Sequence, residues 1–245
     1  HEHYAQRGQI AELFGYRLWT ADFLAQLGQQ ATLTARRDAT PGFVAAELPD
    51  PAGKVAMLAR SLEVLQDAGY VYVGMDHFAL PDDALAVAKR QGRLHRNFQG
   101  YSTQPDCDLI ALGVSAIGRM GATYSQNAKT LDEYYDAVRQ GQFPIVRGLA
   151  LTRDDLVRRA VVMALMCQGE ILFESIEQSW LIHFQTYFAQ EMEQLRGMVE
   201  QGLVKLREDG IEVTPMGWHF VRGVAMVFDR YLQGNRNRER FSRII

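Results

Sequence analysis

Residues 74–118, GMDHFALPDDALAVAKRQGRLHRNFQGYSTQPDCDLIALGVSAIG, decide how this chain is read. The stretch opens at the end of an apolar run, residues 70–75, that reads as a strand. A polar segment, residues 82–91, has the spacing of a helix, and residues 109–117 form a nearly continuous apolar run of the kind found in a strand buried on both faces. Just upstream, Val55, Leu58, Leu62 and Leu65 recur on one helical face, and Gly69 stops that helix. Helix alternating with buried strand predicts a parallel sheet with crossover helices. Two strands cannot cover the edges of such a sheet, so the pattern predicts that further strands complete it upstream.

Composition narrows the function classes. The chain has 245 residues, 47% of them hydrophobic, enough to bury one large core or two smaller ones. Its formal net charge of −3 argues against a general binder of nucleic acid or anionic membrane, because phosphate affinity grows with the Lys and Arg contacts offered. The two cysteines, Cys107 and Cys167, make neither a disulfide framework nor a zinc ribbon, and they suit a reducing, cytoplasmic compartment. No apolar stretch approaches the ~20 residues needed to cross a bilayer, and the first residues lack a secretory signal pattern. A start at His1 instead of Met fits a piece of a longer chain.

Residues 1–48 stay unassigned and partly helical, with Phe14, Leu18, Phe23, Leu24 and Leu27 near helical spacing. His1 and His3 lack a third ligand at suitable spacing, so no metal site is expected. Residues 149–233 change character. Thr152 and Asp155 have capping-box spacing ahead of a helix that buries Leu156, Val157, Ala160, Val161, Ala164 and Leu165. A short helix over 173–180 follows, then a longer one with Phe184, Phe188, Leu195, Met198 and Val199 inward and Gly202 as its stop. Val204 and Leu206 alternate into a turn at Asp209 and Gly210, Ile211 and Val213 alternate back, and Thr214 and Pro215 open a last helix. That order resembles a winged helix. A basic tail, residues 234–245, follows Arg230 and carries Arg236, Arg238, Arg240 and Arg243, while Glu174, Glu177, Glu191 and Glu193 weigh against DNA on the helices before it.

Several residues could carry chemistry. Gln99 offers both a donor and an acceptor, Phe98 and Ile117 offer apolar surface, and Gly100 and Gly113 allow close backbone approach. On their own, Phe98 and Ile117 read as core residues and Gln99 as a loop cap. His77 follows the first strand, where a hydrogen-bonded structural histidine and a substrate-facing one are both open. Arg93, His95 and Arg96 form a cluster whose guanidinium forks suit carboxylates. Cys107 lies in a polar loop with no neighbouring base, and Cys167 reads as a packed thiol.

An ordered series of motifs then runs through residues 49–245: HRNFQGY at 95–101, LGVSAI at 112–117, Y-x-Q-N from Tyr124, RG-x-x-L-x-R-DD from Arg147, VFDRYL at 227–232 and the closing FSRII. The series resembles the oxygen-independent coproporphyrinogen III oxidases (coproporphyrinogen dehydrogenases), radical S-adenosylmethionine enzymes of haem biosynthesis. The resemblance implies an α/β part followed by a mainly α part. Residues 49–148 would be the last units of an incomplete parallel (β/α) barrel, and residues 149–233 a helical, winged-helix-like domain. It further implies that Phe98, Gln99 and Ile117 line the site of a second S-adenosylmethionine, while His77, Arg93, His95 and Arg96 are candidates to contact the propionates of a tetrapyrrole. The family oxidatively decarboxylates two propionates of coproporphyrinogen III to vinyl groups, giving protoporphyrinogen IX.

Family enzymes hold an iron–sulfur cluster on a C-x-x-x-C-x-x-C loop, and the two cysteines here provide no such ligand set. The chain is therefore expected to be the C-terminal portion, inactive alone, with tetrapyrrole and the N-terminal catalytic part as partners, and with neither membrane nor nucleic acid. Two other readings stay open: a non-catalytic tetrapyrrole carrier on the same scaffold, and a winged-helix DNA binder. Family members usually carry Asp at Ala160 and Asn at Gly223, so contacts in the C-terminal part would differ here.

Overall fold

Strand pairing decides the architecture, and every described pair is antiparallel. The computed structural model describes residues 50–75 and 77–233. The expectations for residues 1–48, including His1 and His3, and for the tail at 234–245 lie outside the described residues. Of the described residues, 50–67, with helix α1, Pro51–Asp67, belong to one unit, and 68–75 and 77–233 belong to a second. Asp50 Oδ1 accepts from Gly53 N at 2.7 Å at the start of α1.

The second unit opens with two hairpins. Strand β1, Val71–Gly74, pairs with β2, His77–Ala79. After helix α2, Ala84–Arg90, strand β3, His95–Asn97, pairs with β4, Gly100–Ser102. Asp83 caps α2 from a position inside the segment expected to be helical, so the helix is shorter than its polar pattern. Lys89 reaches back from α2, donating to the carbonyls of Tyr72 and Val73 at 2.8 Å each. Trp218 Nε1 donates to Val73 as well, at 3.1 Å. Burial between these groups lowers the Lys89 ammonium to about 8.

The parallel sheet expected from the sequence is corrected. A parallel pair needs a crossover of a dozen or more residues, whereas Phe98 and Gln99 alone join β3 to β4. Residues 109–116 are not the expected buried strand. Ile110 is 70% exposed and Leu112 83% exposed, and only a single bridge, Leu109 to Arg119, joins the segment to a neighbour. Positive φ at Gly113 and Ser115 breaks the extended path there. Asn127 pins the irregular loop instead, its buried amide donating to Ala111 O at 3.2 Å and Gly113 O at 2.9 Å. The strand proper, β5, is Ile117–Met120; with β6, Thr123–Asn127, and β7, Ile145–Ala150, it forms an antiparallel sheet with β6 in the centre. Helix α3, Leu131–Arg139, connects β6 to β7.

The C-terminal part follows the expected order more closely. Helix α4, Arg153–Gln168, begins in the capping box of Thr152 and Asp155 and ends at the left-handed Gly169. Strand β8, Glu170–Leu172, was not expected; it adds an outer strand to the hairpin of β9, Val204–Leu206, and β10, Gly210–Val213. Helix α5 spans Phe173–Trp180. The single helix expected next is two, α6, Phe184–Tyr187, and α7, Ala189–Glu200, broken at Phe188. Phe188 is fully buried, with ring centroids 4.9 Å from Phe184 and 5.3 Å from Phe228. The last helix likewise divides into α8, Pro215–Trp218, α9, Val221–Met226, and α10, Arg230–Gln233.

Val157, Val161 and Leu165 of α4 pack with Phe184, Phe188, Leu195, Ile211 and Phe228 in one continuous core. Arg158 ties that core's rim together, reaching Asp154 at 2.9 Å and the buried Glu191 at 2.7 Å. A smaller core of Val73, Ala86, Leu94 and Tyr101 is completed by Cys167 on α4. Among the described residues no helix is long and apolar enough to cross a membrane.

Candidate functional site

The hairpin β3–β4 is held by contacts that fix its tip. Gly100 has φ +134°, and a Cβ there would stand 2.5 Å from His77 Nε2, so the imidazole lies against bare backbone. His77 Nδ1 donates to Met75 O at 2.7 Å, and its ring meets Tyr101 edge-on at 5.3 Å. Tyr101 in turn donates its hydroxyl to Met166 O at 2.7 Å, which ties the hairpin to α4; burial pushes that phenol well above its ordinary range. At the tip, Gln99 N donates to Asn97 Oδ1 at 2.8 Å. Phe98 projects from this turn onto Tyr124 of β6, edge-on at 5.2 Å.

Tyr124 stands opposite Arg119 in the β5–β6 register, and Ile117 stands opposite Gln126. Because residues two apart on a strand share a face, Ile117 lies on the same sheet face as Arg119 and Tyr124. Arg159 of α4 donates through Nε to Tyr124 Oη at 3.0 Å. Its two terminal nitrogens grip Asp106, Nη1 to Oδ2 and Nη2 to Oδ1, each at 2.7 Å. Arg119 Nη2 shares that carboxylate, reaching Oδ1 at 2.7 Å, and also donates to Cys107 O at 2.8 Å. Burial works to raise the Asp106 pKa, but the Arg159 hydrogen bonds and the charges of Arg159 and Arg119 outweigh it and hold the carboxyl below its ordinary value.

These groups wall a cavity of about 460 Å³, within the usual range for small-molecule sites. Met75, Val162, Met163, Met166 and Met226 give it an apolar lining, and Arg96, Arg119, Arg159 and Arg222 give it charge. Methionine side chains adapt to irregular apolar ligands. The site can thus seat an amphipathic anion, with an apolar body on the thioethers and acidic groups on the arginines.

Of the residues singled out from the sequence, the structure brings His95, Arg96 and Phe98 into the cavity wall. Ile117 shares a sheet face with two wall residues, and Gln99 is exposed at the hairpin tip beside Phe98; neither is part of the wall. Arg93 is exposed and donates to Gln91, away from the cavity. His77 is packed behind Gly100, the structural arrangement the sequence left open. Sequence reasoning missed Asp106, Arg119, Arg159 and Arg222. Tyr124 stood in a recognised motif, but nothing in the spacing of Asp106 and Arg159 announces their pairing.

The family's iron–sulfur cluster does not fit the thiols present. Cys107 is exposed in the cavity wall, while Cys167 is buried and its thiol is pushed up to about 11 by burial, against the thiolate a metal needs. Among the described residues no group of three or more His, Cys, Asp or Glu could hold a metal ion.

Comparison with known proteins places this geometry. Residues 151–220 match the family model described as the HemN C-terminal domain. The chain is 46% identical over 200 residues to the oxygen-independent coproporphyrinogen III oxidase of Escherichia coli, covering 82% of this chain and 44% of that protein. It is 49% identical over 199 residues to the enzyme of the same name from Pseudomonas aeruginosa, covering 81% and 43%. A solved structure, described as coproporphyrinogen III oxidase (HemN) from Escherichia coli and as a radical SAM enzyme, superposes with a TM-score of 0.73 at 46% identity over 77% of this chain and 44% of that one. The chain spans less than half the length of these relatives. Over that shared portion the chain is similar to the oxygen-independent coproporphyrinogen III oxidases, and residues 151–220 match the HemN C-terminal domain.

Proposed function

We propose that this chain supplies ligand binding to an oxygen-independent coproporphyrinogen III oxidase. The observation that carries the reading is the cavity itself: an apolar, methionine-rich lining with arginines on its wall, at the foot of the Phe98 hairpin. Coproporphyrinogen III has an apolar ring system and four propionates, the chemistry this lining complements. Phe98, with Gln99 beside it and Ile117 on the adjoining sheet face, makes the second S-adenosylmethionine site. The radical would come from a cluster and its S-adenosylmethionine, which Cys107 and Cys167 are not suited to hold. The residues described here bind, orient and shield. We read the antiparallel hairpins of residues 68–148 as closing elements of the family's barrel domain. Residues 149–233 are read as winged-helix-like, supported by the β8–β10–β9 sheet and helices α4, α5 and α7.

Two assays on the purified chain test this. Titration with coproporphyrin III, the stable oxidised analogue, is expected to perturb the Soret band saturably at one site. Anaerobic treatment with iron and sulfide is expected to give neither cluster absorbance nor S-adenosylmethionine cleavage. An intact cluster on this chain, or porphyrin absorbance indifferent to the protein, would overturn the proposal.

A further inference from the structure

The charges around the cavity are unevenly committed. Arg119 and Arg159 are both engaged by Asp106. Asp229, the other carboxylate in the wall, accepts from Tyr231 N at 2.9 Å and Leu232 N at 3.2 Å, so it serves the start of α10. Arg96 and Arg222 remain. Arg96 lies over the Tyr101 ring at 5.1 Å, and its Nη1 is buried without a hydrogen-bond partner. A guanidinium N–H left unsatisfied out of water is costly, so a buried one facing a cavity calls for a partner that enters it, a water, an ion or a ligand group. Arg222, at the start of α9, reaches the same cavity and makes no hydrogen bond or ion pair among the described residues.

We propose that Arg96 and Arg222 together form a carboxylate-binding subsite that takes two acidic arms of the ligand while Met163, Met166 and Met226 carry its apolar body. Arg222 comes from the C-terminal part and Arg96 from the β3–β4 hairpin, so the subsite joins the two halves of the unit around one ligand. Guanidinium forks bind carboxylates in pairs of parallel hydrogen bonds, and a ring carrying several propionates can engage both at once. Arg119 and Arg159 are positioning residues here, held by Asp106 to shape the wall. The identity of the ligand rests on the function proposed above; the subsite itself rests on the orphaned arginines.

The test uses the full chain and three probes: coproporphyrin III, its tetramethyl ester, and cis-parinaric acid as an apolar carboxylate unrelated to tetrapyrroles. Arg222→Ala and Arg96→Ala are each expected to weaken coproporphyrin III about tenfold or more, the loss of one charge-assisted pair. Arg222→Lys should recover part of the loss, and Arg139→Ala, exposed on α3, should bind as the parent does. The ester should bind more weakly and ignore Arg222→Ala. Arg222 is exposed, so its variants keep the test valid should Arg96→Ala fold poorly. Coproporphyrin III bound equally by parent and both alanine variants would overturn the subsite and leave the proposed function standing. Arginine-dependent binding of parinaric acid without porphyrin binding would keep the subsite and overturn the tetrapyrrole reading. Binding of neither carboxylate would remove both.

Discussion

Gly217→Ala is expected to lower the thermal unfolding midpoint by about 6–12 °C, corresponding to roughly 3 kcal/mol. Gly217 sits in α8 with its N–H bonded to Thr214 Oγ1 at 2.9 Å. A Cβ there would overlap the Leu203 carbonyl oxygen and stand 2.7 Å from its carbon, a clash with backbone that no rotamer relieves. That same carbonyl accepts from Thr214 N at 3.0 Å, so displacing it loosens the entry to the β9–β10 hairpin. Gly223 gives the contrast. A Cβ on Gly223 meets nothing within 4 Å, and Gly223→Ala should raise stability by about 0.5–1 kcal/mol through the unfolded chain's lost freedom. Melting of both variants within a degree of the parent would contradict the close packing of α8 on Leu203.

Asp106→Asn is expected to cost about 1–2 kcal/mol at pH 7, measured by denaturant unfolding. The carboxylate is 44% exposed and partly screened by solvent, which keeps the figure well below that of a fully buried pair. Its partners are more enclosed, Arg119 at 13% and Arg159 at 21%, and an amide leaves both charges without a counter-ion. The pH dependence has a definite sign. The folded pKa of Asp106 is lowered from 3.8, so its contribution is complete above that value and is lost as pH falls through the lower folded value. Parent and variant should therefore converge in acid. Comparison between them removes the parallel titration of Asp154 and Asp155, where hydrogen-bond partners outweigh burial and likewise lower the pKa. A difference that persists unchanged in acid, or none at pH 7, would show that the Asp106 bridge contributes nothing.

Local signals were legible because they act over a few residues. The capping box at Thr152 and the Thr214 cap with Pro215 behind it stand where the sequence put them, and the hairpin turn falls one residue early, centred on Glu208 and Asp209 with Gly210 already in β10. What failed was the step from apolar runs to sheet type. Residues 109–117 read as a buried strand because hydrophobicity alone cannot register that Gly113 and Ser115 turn the backbone aside. The site was legible in part for a related reason. Phe98 was found through a motif, and the hairpin carries it into the cavity wall. Asp106 and Arg159 meet across 53 positions of sequence, and Arg96 and Arg222 share a cavity only after the C-terminal helices fold back. No periodicity encodes such meetings. The strand β8 was missed because three residues after a helix carry too little alternation to separate strand from loop.

The decisive measurement is a structure of this chain with coproporphyrin III bound. The ligand is expected in the cavity between Phe98, Tyr124 and Arg222, its ring on the methionines and two propionates on Arg96 and Arg222. A porphyrin seated elsewhere, with those arginines unengaged, would contradict the assignment of this cavity to the tetrapyrrole.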